Sequence, residues 1–142
     1  MTMKKHFLVF ALFLSLFTSC SFDDVGEYNY YLEILPIETV DIPQEFVQGE
    51  TYEISMTYIR PNPCYEFNDF IYEIDGNQRT VAIVNTVYYS GGSNCVEEEE
   101  EITVSFNFNV LSQDTYVFKF FQGTDAQGAD QYYIVEVPVV EQ

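Results

Sequence analysis

The side chains that most often perform catalysis are scarce in this sequence. The single histidine, His6, stands in the N-terminal segment, beside Lys4 and Lys5. A Ser-His-Asp triad, a Cys-His pair and a histidine-ligated metal each need a histidine in the folded domain. Gly91-Gly92 lacks the Lys and Ser/Thr that complete a phosphate-binding loop. Paired carboxylates remain, but acids this abundant define no specific pair. The sequence therefore predicts neither an enzyme nor a cofactor.

The N-terminal segment has the composition of an export signal. Lys4 and Lys5 precede an apolar run, residues 7–17, that is too short to cross a bilayer core comfortably. Phe17-Thr18-Ser19-Cys20 resembles the lipobox of bacterial lipoproteins, although that family usually has Leu where Phe17 stands. The resemblance implies cleavage before Cys20 and stable membrane attachment through acyl chains on Cys20. The alternative is an ordinary signal peptide with a coincidental cysteine.

The residues after Cys20 indicate where in the cell the protein is located. Ser21-Phe22-Asp23-Asp24 resembles the acidic export signal of surface lipoproteins of the Bacteroidota, with Phe22 interrupting the acidic run. The resemblance implies a lipid-anchored protein of the outer membrane, facing either the cell surface or the periplasm. A plain acidic tether is the alternative. The predicted organisation is a signal peptide over 1–19, a lipidated tether over 20–27 and one domain over 28–142.

Charge limits the partners. All 23 Asp and Glu residues follow Cys20, where Arg60, Arg79 and Lys119 are the only Lys or Arg residues. Nucleic-acid binding requires clustered cations, so we expect none. The domain surface should also avoid anionic membranes and favour cationic, neutral or metal-bridged partners. Arg60 and Arg79 are expected to pair with nearby acids.

The two remaining cysteines predict a disulfide. Cys64 and Cys95 form an even pair in a chain that carries an export signal. A bridge between them would close a loop of about 30 residues and stabilise the fold by roughly 3–4 kcal/mol. Two cysteines without a histidine are too few ligands for a zinc site.

Two acidic segments are weak candidates for cation binding. Glu97–Glu101 is a run of five glutamates, but neighbouring side chains of an extended chain point to opposite faces and do not converge on one ion. We interpret the run as a solvated edge that discourages aggregation. Asp125 and Asp130 flank Gly128 in a segment with a faint likeness to a calcium loop. We interpret this segment as a hairpin loop, because Asp and Gly both favour turns.

Strand patterns fill the rest of the chain. Residues 102–110 alternate strictly between apolar and polar types, and residues 51–59 place Tyr52, Ile54, Met56 and Tyr58 on one face. Asp75-Gly76-Asn77 is a strong turn signal. Further strands are predicted over 28–37, 65–74, 79–89, 115–122 and 131–140, the last two as a hairpin.

This pattern predicts an all-β domain: an antiparallel β-sandwich of about seven strands with one disulfide. Its length and strand count are similar to those of immunoglobulin- and fibronectin-III-like domains. The absence of Trp sets it apart from antibody domains, so the resemblance is architectural only.

The tyrosines suggest how such a domain would act. The chain has 12 Tyr and 13 Phe, with adjacent pairs at Tyr30-Tyr31, Tyr88-Tyr89 and Tyr132-Tyr133. We expect one member of each pair to face inward and the other outward, where it could contact a protein or a sugar. The main hypothesis is a non-catalytic binding or structural module of the cell envelope, with an unknown envelope protein or glycan as partner. A carbohydrate-binding lipoprotein and a Ca²⁺-dependent adhesion module are the alternatives.

Overall fold

The structure, a computed structural model, describes residues 29–89 and 95–141. The predicted signal peptide, the tether with Cys20 and the predicted loop over 90–94 lie outside the described residues. Ten strands form in the described part, seven of them with six or more residues: β1 (Tyr30–Leu35), β2 (Thr39–Asp41), β3 (Phe46–Val47), β4 (Thr51–Arg60), β5 (Tyr65–Asp75), β6 (Gln78–Tyr88), β7 (Glu100–Asn109), β8 (Tyr116–Thr124), β9 (Asp130–Val137) and β10 (Val139–Val140). The all-β prediction is confirmed.

Strand β6 is the centre of a five-stranded sheet. Strand β5 pairs along one side of it, through the predicted hairpin. The turn uses Gly76 at a φ of 57°, which glycine adopts without a Cβ clash. On the other side of β6, β1 pairs with residues 83–88 and β8 with residues 78–81. Strand β9 pairs with β8 in the second predicted hairpin and forms the far edge.

The remaining strands form two smaller sheets. Strands β2, β4 and β7 make a three-stranded sheet, and the short strands β3 and β10 pair with each other. The chain leaves the first sheet at Pro36 and enters the second at Thr39. One continuous N-terminal segment therefore contributes a strand to each of the two larger sheets.

Two of the strand pairs, β6–β8 and β3–β10, are parallel. The prediction of a purely antiparallel arrangement is wrong for them. Strand β1 pairs only with the second half of β6, and β8 pairs with the first half on the same side. The two strands approach this side of β6 from opposite ends. The Ile37 N–H donates to the Phe121 carbonyl, 2.8 Å away, where the two strands meet. Strand β1 is antiparallel to β6 and β8 is parallel to it, so β1 and β8 run toward each other beside β6.

One hydrophobic core contains side chains from both larger sheets. The predicted inward face of β4 is confirmed, because Ile54, Met56 and Tyr58 are buried. Strand β7 contributes Phe108 by its alternating pattern. The five-stranded sheet supplies the remaining large side chains, among them Leu35, Val81, Ile83, Tyr116, Phe118 and Phe120.

A buried tyrosine holds the segment between β7 and β8 through hydrogen bonds to its backbone. Tyr116 is the first residue of β8 and is completely buried. Its hydroxyl oxygen accepts the backbone N–H groups of Leu111 at 3.1 Å and Ser112 at 2.8 Å. The side chain thus fixes the chain segment that crosses from one sheet to the other.

Replacing Tyr116 by Phe should lower the free energy of unfolding by about 1–3 kcal/mol, because two partly buried N–H groups lose their acceptor. The ring and its packing would remain. The measurement is urea unfolding followed by far-UV circular dichroism, since the chain has no Trp. Tyr133→Phe, at an exposed position of β9, is the control. Equal effects of the two substitutions would contradict the role of the Tyr116 hydroxyl.

Candidate functional site

The predicted disulfide joins Cys64 and Cys95, whose Cα atoms are 5.6 Å apart. Cys64 lies directly before β5 of the five-stranded sheet, and Cys95 lies before β7 of the three-stranded sheet. The bond therefore connects the two larger sheets at one end of the domain. Its role is structural, and both thiols are consumed by it.

The candidate calcium loop forms a tight turn between β8 and β9. One oxygen of Asp125 accepts the backbone N–H groups of Gln127 and Ala129, each at 2.9 Å, and the other accepts the Gln131 amide at 3.2 Å. The Asp130 carboxylate accepts from the Tyr132 hydroxyl at 3.3 Å. Within residues 29–89 and 95–141, no group of three His, Cys, Asp or Glu residues could hold a metal ion. Asp125 acts here as an acceptor for the turn.

The acidic run Glu97–Glu101 is exposed along its whole length. Glu100 stands opposite Arg60 in the β4–β7 ladder and forms an ion pair with it, as expected for Arg60. An exposed pair of this kind adds little stability. Arg79 differs, because no carboxylate among the described residues forms an ion pair with it.

The tyrosine pairs of β1 and β6 do not divide into inward and outward members. Tyr30, Tyr31, Tyr88 and Tyr89 are all exposed. The reason is that the core ends before these residues: Leu35 is 6% exposed, whereas Tyr31, on the same side of β1, is 40% exposed. The rings pack instead on each other, Tyr30 with Tyr88 and Tyr31 with Tyr89. The expectation of one inward and one outward ring is wrong for both pairs.

One outer face of the domain is apolar. In the five-stranded sheet the register places Ile34 beside Val84 on the side away from the core. Phe121 lies beside Tyr132 on the same side. We use the name apolar sheet face for the hydrophobic side chains on this outer side: Tyr30, Leu32, Ile34, Ile71, Ala82, Val84, Tyr88, Val117, Phe121, Tyr132 and Ile134.

Several members of the apolar sheet face are open to solvent. Leu32 is 57% exposed, Ile34 43% and Ile134 56%. These aliphatic side chains of β1 and β9 lie on the same side of β6 and make an exposed hydrophobic surface. Such surfaces mark interaction sites more often than scattered single residues do.

The outer face of the three-stranded sheet is mostly polar and provides a contrast. On the paired strands β4 and β7, Ile59 is the one apolar outward side chain, and the others are Thr51, Glu53, Ser55, Thr57, Glu101, Thr103, Ser105, Asn107 and Asn109. Both sheets bury their other side in the same core. The apolar outer face is therefore a property of one sheet and not of strands in general in this domain.

Acidic side chains border the apolar sheet face. Glu66, Asp69 and Glu73 lie along the β5 edge, and Glu136 lies on β9 at the opposite edge. Of the described residues, Lys119 is the one cation on this side. Its Nζ lies 4.5 Å from the centre of the Tyr132 ring. The surface thus combines hydrophobic side chains, with Thr80, Thr86 and Lys119 among them, and a negative border.

The sequence of β6 carries a signal for this face. Residues 81–84 read Val-Ala-Ile-Val, which is apolar on both sides of a strand. Runs of this kind indicate a strand covered on both faces. In the structure the core covers the inner face of β6, and Ala82 and Thr86 on its outer face are buried as well.

No known family model matches this chain, and no curated protein and no solved structure is similar to it. Among the described residues, no helix is long and apolar enough to span a membrane. What can be inferred about function therefore depends on the chain's own residues.

Proposed function

We propose that this protein is a lipid-anchored lipoprotein of the bacterial outer membrane and a non-catalytic binding module, which docks a protein partner on its apolar sheet face. The anchor rests on the lipobox-like Phe17-Thr18-Ser19-Cys20. The binding role rests on one observation, the exposed hydrophobic surface of the five-stranded sheet.

Hydrophobic burial supplies the driving force for docking. Covering a Leu or Ile side chain completely is worth about 1.5–3 kcal/mol. Leu32, Ile34 and Ile134 together therefore offer several kcal/mol to a partner that excludes water from them. The free protein gains nothing from their exposure, which favours a surface that is covered in the assembly.

The charges define the chemistry of the partner. A hydrophobic patch bordered by Lys and Arg would meet the acidic border formed by Glu66, Glu73 and Glu136. A second copy of this chain is disfavoured, because it would bring two acidic borders together. An anionic lipid surface is disfavoured for the same reason. The proposed occupant is therefore a protein surface with an apolar centre and a basic border.

We infer that the architecture is a β-sandwich with an immunoglobulin-like connection. The two larger sheets share one core, as the layers of a sandwich do. The hydroxyl of Tyr116 bonds to the backbone a few residues upstream, at the start of a strand, in the manner of the tyrosine corner of such domains. The parallel β6–β8 pair is a departure, since immunoglobulin sheets are antiparallel.

A glycan is the second candidate partner. Tyr30 and Tyr88 are exposed on the apolar sheet face, and tyrosine rings can stack on sugars. Their rings are inclined at 57° to each other, so they do not form one flat platform. Binding of the purified protein on a glycan array, lost in Tyr88→Ala, would favour this candidate over a protein.

The anchor is tested by the intact mass of the protein isolated from its own host. We expect the mass of a chain that begins at Cys20 and carries acyl chains. Cys20→Ser should abolish both the lipid and the cleavage that depends on it. A wild-type mass without lipid would overturn the lipoprotein assignment and leave the binding module intact.

Docking is tested by photo-crosslinking in intact cells of the host. A photoreactive amino acid at Ile134 or Leu32 should give one discrete protein adduct, and the same group at Thr103 or Ser105 should give none. Glu73→Lys, a charge reversal on the acidic border, should reduce the Ile134 adduct several-fold. Glu53→Lys, on the polar face, is the matched control and should leave it unchanged. A self-adduct, a lipid adduct or an adduct insensitive to Glu73→Lys would contradict the proposed partner.

A further inference from the structure

We propose a second binding site, separate from the apolar sheet face: the groove between β5 and β7 binds a small amphipathic acid, whose anionic group contacts Arg79. The ligand class is a single carboxylate or sulfonate on an apolar body. The site lies on the core side of β6, where the edges of the two larger sheets diverge.

The groove has the size and lining of a small-molecule site. Its volume is about 350 Å³, within the range typical of ligand pockets. Its lining is mainly hydrophobic and includes Phe70, Tyr72, Ile74, Phe106, Phe108 and Leu111. Ile74 and Leu111 are 66% and 78% exposed, so the entrance itself is apolar. A larger hollow beside β3 and β10 is lined by Gln48, Gln113, Asp114 and Glu141 and contains no cation.

Arg79 brings a buried positive charge to this groove. The residue is 8% exposed. Its Nη1 donates to the carbonyl oxygens of Gly76 at 2.7 Å and Gln78 at 2.8 Å. The guanidinium carbon lies 5.1 Å from the centre of the Tyr116 ring and 5.9 Å from that of Phe108. These contacts hold the guanidinium in place without neutralising it.

The missing counter-charge is the observation that carries the proposal. Buried charges in proteins are normally paired, since desolvating an unpaired ion is costly. The chain has 23 Asp and Glu residues, yet none of those described forms an ion pair with Arg79. An anion from outside would complete the site.

One guanidinium matches one negative charge, and Tyr72 adds a hydroxyl to the lining of the groove. Burial raises the pKa of Tyr72, and nearby Arg79 offsets part of the rise. The Tyr72 hydroxyl therefore remains a hydrogen-bond donor at neutral pH, beside the guanidinium.

A pair of probes that differ only in charge tests the site. Naphthalene-2-carboxylate and naphthalene-2-carboxamide have nearly the same shape, and only the first is an anion. Binding to the full chain in detergent is measured by saturation-transfer difference NMR, with empty micelles as the blank. We expect the carboxylate to bind at least tenfold more tightly than the amide. Arg79→Gln should remove this preference, whereas Arg60→Gln should preserve it.

Two further variants keep the result interpretable if Arg79→Gln does not fold. Leu111→Glu changes an exposed residue at the groove and should weaken binding of the carboxylate probe at least tenfold. Leu32→Thr alters the apolar sheet face instead and should leave both probes unchanged. Equal affinities for the two probes would overturn the proposal. So would binding of the carboxylate probe that is lost in Leu32→Thr and retained in Leu111→Glu. Neither result bears on docking at the apolar sheet face, which the crosslinking tests separately.

Discussion

Removing the Cys64–Cys95 disulfide should lower the free energy of unfolding by about 3–4 kcal/mol. The bond joins residues 31 positions apart in the sequence. Without it, the unfolded chain gains conformational entropy, because this long loop is no longer closed. The enclosed segment contains β5 and β6, and β6 is the strand to which three others of the five-stranded sheet pair. Domains of this size are typically stable by 5–15 kcal/mol, so the loss is a large share of the total.

The double variant Cys64→Ala/Cys95→Ala measures this effect without leaving a free thiol. Urea unfolding of wild type and variant should show a lower midpoint in the variant. Dithiothreitol should shift the wild-type midpoint toward that of the variant and leave the variant unchanged. A double variant as stable as the oxidised wild type would mean that the loop is already restricted in the unfolded chain.

The elements predicted correctly are those whose pattern is complete within a short stretch of chain. Strands β4 and β7 alternate between apolar and polar residues, so each stretch identifies its own buried face. The Gly76-Asn77 turn and the β8–β9 hairpin depend on neighbours in sequence. The disulfide was predicted from the number of cysteines and the predicted export signal, without any knowledge of the fold.

The features that were missed depend on distant parts of the chain. The parallel pairing of β6 with β8 requires β1 to end at Leu35 and vacate that side of β6. Strands β2, β3 and β10 have two or three residues each, too few to show a period. Nothing in the sequence near Tyr30 indicates that the core ends before it.

The candidate sites were only partly foreseeable for the same reason. The scarcity of cations after Cys20 singles out Arg79, but the expectation that it pairs with an acid is wrong for the described residues. Its surroundings come from Phe108 on β7 and Tyr116 on β8, which the fold brings together. The apolar sheet face likewise combines residues of β1, β5, β6, β8 and β9, and no one strand reveals it.

Phe46 shows most clearly how a very short element can support the whole core. It belongs to a two-residue strand, in a stretch where the sequence shows only the turn-forming residues Pro43 and Gly49. It is nevertheless completely buried. Its ring lies 4.9 Å from that of Tyr52 and 5.3 Å from that of Phe108, measured between ring centres. Its ring also lies 6.1 Å from that of Phe118 in the five-stranded sheet, so Phe46 joins the β3–β10 pair to both larger sheets through the core.

Replacing Phe46 by Ala should destabilise the protein by about 3–5 kcal/mol, since it removes a large buried ring and leaves a cavity that the surrounding strands can fill only in part. Val47→Ala, at the adjacent half-buried position of the same strand, is the matched control and should cost about 1 kcal/mol. Urea unfolding followed by tyrosine fluorescence gives both values, and an unchanged dependence on urea concentration would show that the cooperativity is retained. If the two substitutions cost the same, the β3–β10 pair would be a peripheral attachment. A cost confined to Phe46 would mean that this ring, and not the two-residue strand that carries it, is what stabilises that end of the domain.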